Sequence, residues 1–223
     1  MLDDEQVPFA DIRQNMKELN TINTYLGGHA VSIDGVKQII LHHNSGTPLT
    51  ICEIGCGGGD NLMALAKWCG HQSIRANFIG IDIKPACIEY AKAQCSSLQA
   101  QWITNDYLQT NLSNKKPDII FSSLFCHHFK ATELVTMLQW MKQHATKGFF
   151  INDLQRHFFA YYSIKFITSL FSGSYLVKND APLSVARGFK RNEWQQLLQQ
   201  AGIESYTLHW KWAFRYLITY RNA

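Results

Sequence analysis

The 223-residue sequence predicts an α/β fold. A mostly parallel sheet carries helices on both faces, with extra helices in front and antiparallel strands at the end. Three observations carry this prediction. From residue 50 onward, short apolar runs alternate with stretches at helical spacing. The first of these runs ends in a glycine cluster, "EIGCGGGD", that opens into a helical pattern. The chain closes on two runs rich in aromatic and β-branched residues, "ESYTLHWKW" and "FRYLITYR", which favour strands.

The elements follow in order. "FADIRQNMKELNTINTYL" sets Phe9, Ile12, Met16, Leu19, Ile22 and Leu26 at mostly helical spacing, with the glycines at 27–28 as a stop. "VSIDGVKQIILHH" predicts a second helix. Residues 1–44 are therefore expected to form an N-terminal helical cap, and residues 45–223 the main domain with a lid insertion at about 155–190. Predicted strands are "LTICEI" (49–54), "NFIGID" (77–82), "AQWIT" (100–104), "DIIFSS" (118–123) and "GFFIND" (148–153), with helices at 60–69, 85–96, 131–145 and 155–171 between or after them. Such alternation implies parallel strands covered on both sides. A helix at 191–201 stops at Gly202, and the two terminal runs are expected as an antiparallel pair at the sheet edge. Residues 158–171 hold six aromatics. Such a helix is apolar on more than one face, either as a core or dimer helix or as a lid over a hydrophobic acceptor. "KNDAPLSVARGFKR" after it reads as a polar insert, with Asp180, Ser184 and Arg187 as candidate acceptor contacts.

Composition narrows the function classes. No uninterrupted apolar run of about 18 residues exists. The acidic, polar start "MLDDEQVPFADIRQ" is wrong for a secretion signal, so a cytoplasmic protein is expected. The six cysteines form no C-x-x-C pair and are read as reduced, mostly buried thiols, with no metal site. The formal charge is +4, and residues 142–223 hold 11 Lys/Arg against four Asp/Glu. No dense basic cluster appears, so no nucleic-acid partner is expected. A basic, aromatic-rich final third favours an anionic or amphiphilic small molecule, or a membrane surface.

The glycine cluster at the end of the first predicted strand lets a ligand lie against the backbone. It lacks the Gly-Lys-Ser/Thr ending of a triphosphate loop. It also departs from the dinucleotide fingerprint: Gly55 and Gly57 fit, but the third position is Asp60. A carboxylate at that helix start repels a pyrophosphate, and Glu53 adds a second one. Two acids beside a glycine loop suit a ligand with positive groups and hydroxyls. Asp82, ending the second strand, is placed to accept both ribose hydroxyls of an adenosine, which a nicotinamide dinucleotide and an S-adenosyl compound share. Asp106, followed by Tyr107, stands just after the third strand, where an acid could meet an adenine edge.

"EIGCGGG", "GIDIKPACIEYAK", "ITNDYL" and "DIIFSSLFCHHF" resemble, in order and spacing, the successive motifs of class I S-adenosylmethionine-dependent methyltransferases. The resemblance covers about residues 45–155 and is to the small-molecule, ubiquinone/menaquinone-methylase-like type. It implies a Rossmann-like seven-stranded sheet with an antiparallel last strand. It also implies S-adenosylmethionine as methyl donor and S-adenosylhomocysteine as product. Under it, Glu53, Gly55, Cys56, Gly57 and Asp60 would line the methionine part; Asp82 would hold the ribose, and Ile83 would pack on adenine. Asn105, Asp106 and Tyr107 would meet the adenine edge, and Ser122 and Leu124 would form the floor near the sulfonium.

His127 and His128 follow the fourth strand, beyond the expected methyl position. An imidazole titrating near neutrality suits a general base. Asp153, ending the fifth strand, could orient a histidine, take the proton itself, or simply cap the next helix. Similar methyltransferases often carry His-His after strand four and an acid at the end of strand five, so His128 with Asp153 is the first expectation and His127 the second. His157, Tyr161 and Arg187 are further acceptor candidates. "INTYLGGH" either closes over the cofactor or is an ordinary helix–turn. The expected activity is methyl transfer to a small hydrophobic acceptor, aromatic or polyketide-like, at oxygen in preference to carbon or nitrogen, by a monomer or homodimer. The N/D-P-P-Y/F motif for planar nitrogens is replaced by "SSLF". The rival readings are an NAD-dependent oxidoreductase and a non-catalytic methyltransferase-like binding subunit.

Overall fold

The computed structural model describes residues 9–40, 47–112 and 116–222. Two helices open the chain, α1 (Phe9–Tyr25) and α2 (Gly28–Ile39), separated by Gly27 in the left-handed region at φ 72°. The side chains of Phe9, Ile12 and Leu19, and residues 41–43 of the expected second helix, lie outside the described residues.

Strands β1 (Leu49–Ile54), β2 (Ala76–Asp82), β3 (Ala100–Thr104), β4 (Ile119–Ser123) and β5 (Gly148–Leu154) run parallel. With β6 (Tyr206–Lys211) and β7 (Arg215–Arg221) they form one seven-stranded sheet in the order β3-β2-β1-β4-β5-β7-β6. The last strand is antiparallel to both of its neighbours. The two terminal strands stand as the expected antiparallel pair at the sheet edge, with β7 inserted between β5 and β6 and β6 outermost. The burial pattern gives the reason. Residues 215–219 are buried throughout, whereas β6 buries only Leu208. A strand apolar on both faces gains most from an interior place.

The helices are α3 (Asp60–His71), α4 (Pro85–Gln94), α5 (Ala131–His144), α6 (Phe158–Phe171), α7 (Tyr175–Arg187) and α8 (Arg191–Gln200). Strand periodicity divides the core into two layers. Ile119, Phe121, Phe150 and Leu217 pack with Val36 of α2 and Leu62 and Leu65 of α3. Ile120, Phe149, Ile151 and Ile218 pack with Leu134, Met137 and Leu138 of α5 and Trp194 and Leu198 of α8. Local signals set the starts. Pro85 opens α4, where its missing N–H costs nothing. Glu133 and Glu193 reach back to the backbone N–H of Lys130 and Lys190 at 2.7 Å, capping α5 and α8.

The segment expected as a lid differs from that expectation in two ways. β5 continues to Leu154, so α6 starts at Phe158, with His157 as its cap. The expected polar insert is instead a helix, α7, despite Pro182 within it. Val177, Ala181 and Val185 of α7 close on Ala160 and Ile164 of α6, and this burial offsets the backbone hydrogen bond that proline forfeits. The other face of α6 carries Phe158, Tyr162, Phe166 and Leu170, four residues apart and exposed. No described helix is long and apolar enough to cross a membrane.

Candidate active site

The glycine loop hangs from a strand buried along its whole length. Gly55, Gly57 and Gly59 take φ values of 66°, 50° and 76°, a region open to glycine at little cost. A Cβ at Gly55 would stand 2.3 Å from the Phe125 ring, so this glycine allows the loop to press on the turn after β4. At Gly57 a Cβ would meet nothing within 4 Å; there the backbone is bare.

Two acids brace this loop. Asp82 accepts hydrogen bonds from the N–H of Gly57 and of Lys84, both at 2.9 Å. Glu53 is 1% exposed, and its Oε2 has no partner among the described residues. Burial, then the charges of Asp60 and Asp82, push the Glu53 carboxyl well above its ordinary range. A buried acid with an orphaned oxygen next to two more acids is a seat for a cationic group. Asp60 is already engaged: its Oδ2 lies 2.9 Å from His29 Nε2, tying α2 to the loop.

The rim beyond Asp82 holds Ile83, an apolar side chain that is 66% exposed. Asn105 Oδ1 accepts the Asp106 N–H, and Asp106 Oδ1 accepts the Leu108 N–H. Three expected ligand contacts turn the other way. The Tyr107 ring is buried edge-on against Trp140, centroids 5.2 Å apart. Ser122 Oγ is buried 3.3 Å from Cys126 Sγ, and the Cys56 side chain is inside the core. An aromatic ring and a thiol gain more from burial than from a polar rim, so these side chains are taken up by the core.

The chemistry gathers after β4. Leu124 leaves the strand at φ 53°, a strained value for a side chain with a Cβ. Residues Cys126–His128 then make one 3-10 turn. Asp153, fully buried, fixes that turn with both oxygens. Oδ2 accepts the N–H of Phe125 at 3.1 Å and of Cys126 at 2.7 Å; Oδ1 accepts the N–H of Leu154 at 2.7 Å and lies 2.8 Å from His127 Nδ1. The expected pairing of Asp153 with His128 is therefore corrected to His127. With residues 125 and 126 pinned by their amides, the next side chain of the tight turn, that of His127, meets the carboxylate. The His128 ring lies 4.3 Å from that of His127.

Burial alone would raise the Asp153 carboxyl, but His127 and the surrounding donors hold it below its ordinary value. Held low, it faces His127 as a carboxylate. An ionised carboxylate only accepts, so the nitrogen that faces it, His127 Nδ1, is the donor, and Nε2 is the ring nitrogen left for another partner.

His127, His128 and Leu124 form one wall of a cavity of about 390 Å³. Ala160, Ser163, Ile164 and Ile167 of α6 roof it, and Asp180, Ser184 and Arg187 of α7 close one side. Arg187 thus reaches the cavity as expected, whereas His157 and Tyr161 are not on its wall. His157 Nδ1 accepts the Phe159 N–H and its ring stacks on Phe214, and Tyr161 packs against the α6–α7 cluster. Two polar wall residues that were not among the expected site residues are Asn23 and Arg215. Arg215 is buried opposite Leu154 and donates from Nη2 to Asn23 Oδ1 at 3.0 Å. Gly28 makes this possible, since a Cβ there would sit 1.7 Å from Asn23 Oδ1 and 3.2 Å from Arg215 Cζ. No single-sequence signal marks an arginine at the head of an aromatic strand. Among the described residues no cluster could hold a metal ion.

Residues 51–148 match a family model described as "Methyltransferase domain". A comparison with curated proteins finds none that matches. Among solved structures, the chain resembles the plantazolicin methyltransferase in complex with a monoazolic desmethylPZN analog and S-adenosylhomocysteine. There the identity is 16%, the TM-score 0.69, and 95% of this chain aligns with 90% of that one. It resembles magnesium protoporphyrin IX methyltransferase of Synechocystis PCC 6803, solved with bound S-adenosylmethionine, at 15% identity and TM-score 0.59, over 99% of this chain and 86% of that one. A third likeness is to a methyltransferase from Aquifex aeolicus, at 16% identity and TM-score 0.57, over 82% and 87% of the two chains. At such identities the likeness is one of fold. The glycine loop, Asp82 and the turn that carries the histidines all fall within the matched segment: residues 51–148 match a methyltransferase domain, and the chain as a whole shares the fold of these solved methyltransferases.

Proposed function

We propose that the protein transfers a methyl group from S-adenosylmethionine to an oxygen of a small, largely apolar acceptor held beneath α6 and α7. The observation that carries this reading is the buried His127–Asp153 pair, whose histidine lines an apolar cavity and whose turn is pressed by the glycine loop at Gly55. A cavity of about 390 Å³ is of small-molecule size. S-adenosylmethionine supplies a methyl on a sulfonium, ready for in-line displacement. The acids fit it: the orphaned Glu53 oxygen suits its ammonium, Asp82 its ribose hydroxyls, and exposed Ile83 a face of its adenine. A pyrophosphate would meet Glu53 and Asp60 instead, which disfavours a nicotinamide dinucleotide. As the acceptor oxygen takes the methyl, His127 Nε2 takes its proton, and Asp153 stabilises the imidazolium that forms. A phenol or enol, acidic enough for an imidazole to deprotonate, suits this pair best.

The test is calorimetric titration with S-adenosylhomocysteine and with NADH, then turnover of S-adenosylmethionine with a panel of alkylphenols and enolic pyrones. We expect S-adenosylhomocysteine alone to bind. We also expect His127→Ala to cut turnover by about 10²–10⁴-fold at unchanged S-adenosylhomocysteine affinity. NADH binding without S-adenosylhomocysteine binding would overturn the reading; loss of turnover in His128→Ala but not His127→Ala would move the base.

A further inference from the structure

The C-terminal strand delivers to the cavity a charge that methyl transfer to a neutral acceptor does not require. Arg215 is 3% exposed. Its Nη2 is bonded to Asn23, while Nε and Nη1 have no partner among the described residues. Burial lowers its pKa to about 10, against the pull of Asp153, so it remains a cation at neutral pH. Asp153 cannot serve it further, because both its oxygens are taken by His127 and three backbone amides. The other charged groups on the wall, Asp180 and Arg187, stand on α7. A buried guanidinium with two donors idle is costly, yet Asn23 and Gly28 are arranged to hold it there.

We propose that Arg215 anchors an oxyanion of the acceptor, a carboxylate or an ionised phenol or enol distinct from the hydroxyl that is methylated, on an otherwise apolar molecule. The proposal rests on the cavity being the acceptor site. A planar guanidinium presents parallel donors that match the two oxygens of a carboxylate or the lone pairs of a phenolate. Asp180, with its Oδ2 unpartnered among the described residues, asks for a hydroxyl at the other wall and rejects a second anion there. The acceptor class is thus an amphiphile with one acidic end, in keeping with the basic, aromatic-rich final third of the sequence.

The experiment uses three probes that share one apolar tail: 4-hexylbenzoate, 4-hexylphenol and 4-hexylbenzyl alcohol. The full chain is first titrated with S-adenosylhomocysteine; no binding there would overturn the methyl-donor reading without touching the anchor. Each probe is then titrated at pH 7, with and without S-adenosylhomocysteine, following tryptophan fluorescence, since Trp212 lines the cavity. We expect the benzoate at pH 7, or the phenol as it ionises at higher pH, to bind about 10- to 100-fold more tightly than the alcohol, the usual worth of a hydrogen bond to a charged group. Preference for the benzoate identifies a carboxylate; for the phenol, growing as pH rises, a phenolate. Arg215→Met should abolish the preference, Arg215→Lys should keep part of it, and Arg187→Met should keep it. Equal binding of all three probes by the unaltered chain, a preference that survives Arg215→Met, or one lost in Arg187→Met would overturn the proposal. If Arg215→Met does not fold, the ranking by the unaltered chain and by Arg215→Lys decides.

Discussion

Asp153→Asn changes one atom and tests the whole histidine arrangement. The aspartate accepts four hydrogen bonds, two on each oxygen. Asparagine can keep an acceptor on one side only. With its amide nitrogen toward Phe125 and Cys126, two buried backbone donors lose their partner. With its nitrogen toward His127 and Leu154, only the Leu154 N–H is orphaned, because His127 can answer by moving its proton from Nδ1 to Nε2. The second orientation loses less, so it is expected. One orphaned donor costs about 1–3 kcal/mol, and for a chain of this size each kcal/mol lowers Tm by about 2–4 °C. The variant should therefore fold and melt a few degrees early. His127 Nε2 would then carry a proton and cease to be a base, lowering turnover by about 10²–10⁴-fold. Long-range proton–nitrogen NMR of the imidazoles reads the tautomer without an acceptor, and thermal unfolding reads the stability. An Asp153→Asn protein that keeps the Nδ1–H tautomer and full turnover would refute the assignment of Asp153 as the group that orients His127.

Glu53→Gln should stabilise the cofactor-free protein at neutral pH. The sign follows from burial and the two neighbouring acids raising the Glu53 carboxyl well above 4.5. A carboxyl that holds its proton more tightly when folded contributes less stability as pH rises from its unfolded value through its folded one. The gain in Tm should therefore be absent near pH 4 and grow above it, while S-adenosylhomocysteine affinity falls; a Tm difference independent of pH would refute the buried-charge account. Asp153 has the opposite sign. Its carboxyl is held low, so its contribution persists as pH falls past the ordinary aspartate value of 3.8 and goes only below it. Asp82→Ala should weaken S-adenosylhomocysteine by about 1–3 kcal/mol, because it removes the ribose acceptor and frees the Gly57 and Lys84 amides that Asp82 holds. Unchanged affinity by calorimetry would remove Asp82 from the site.

Local signals along the chain foretell the alternation of strands and helices, the glycine loop and the acids at three strand ends. These are written in periodicity, in backbone freedom at a turn, and in charge next to a loop, all of which are local. Within that frame, what remained open was decided by contact between distant segments. Whether residue 127 or 128 meets Asp153 depends on a left-handed Leu124 and on two amides pinned from another strand. Tyr107 and Ser122 turn inward because Trp140 and Cys126 wait there. Residues 175–187 become helical despite Pro182 because α6 offers them an apolar face. Arg215 becomes a cavity residue only because β7 is inserted beside β5 and Gly28 leaves room for its partner Asn23. A strand's residues are legible one by one, but the neighbour that a charge will meet is fixed only when the sheet closes.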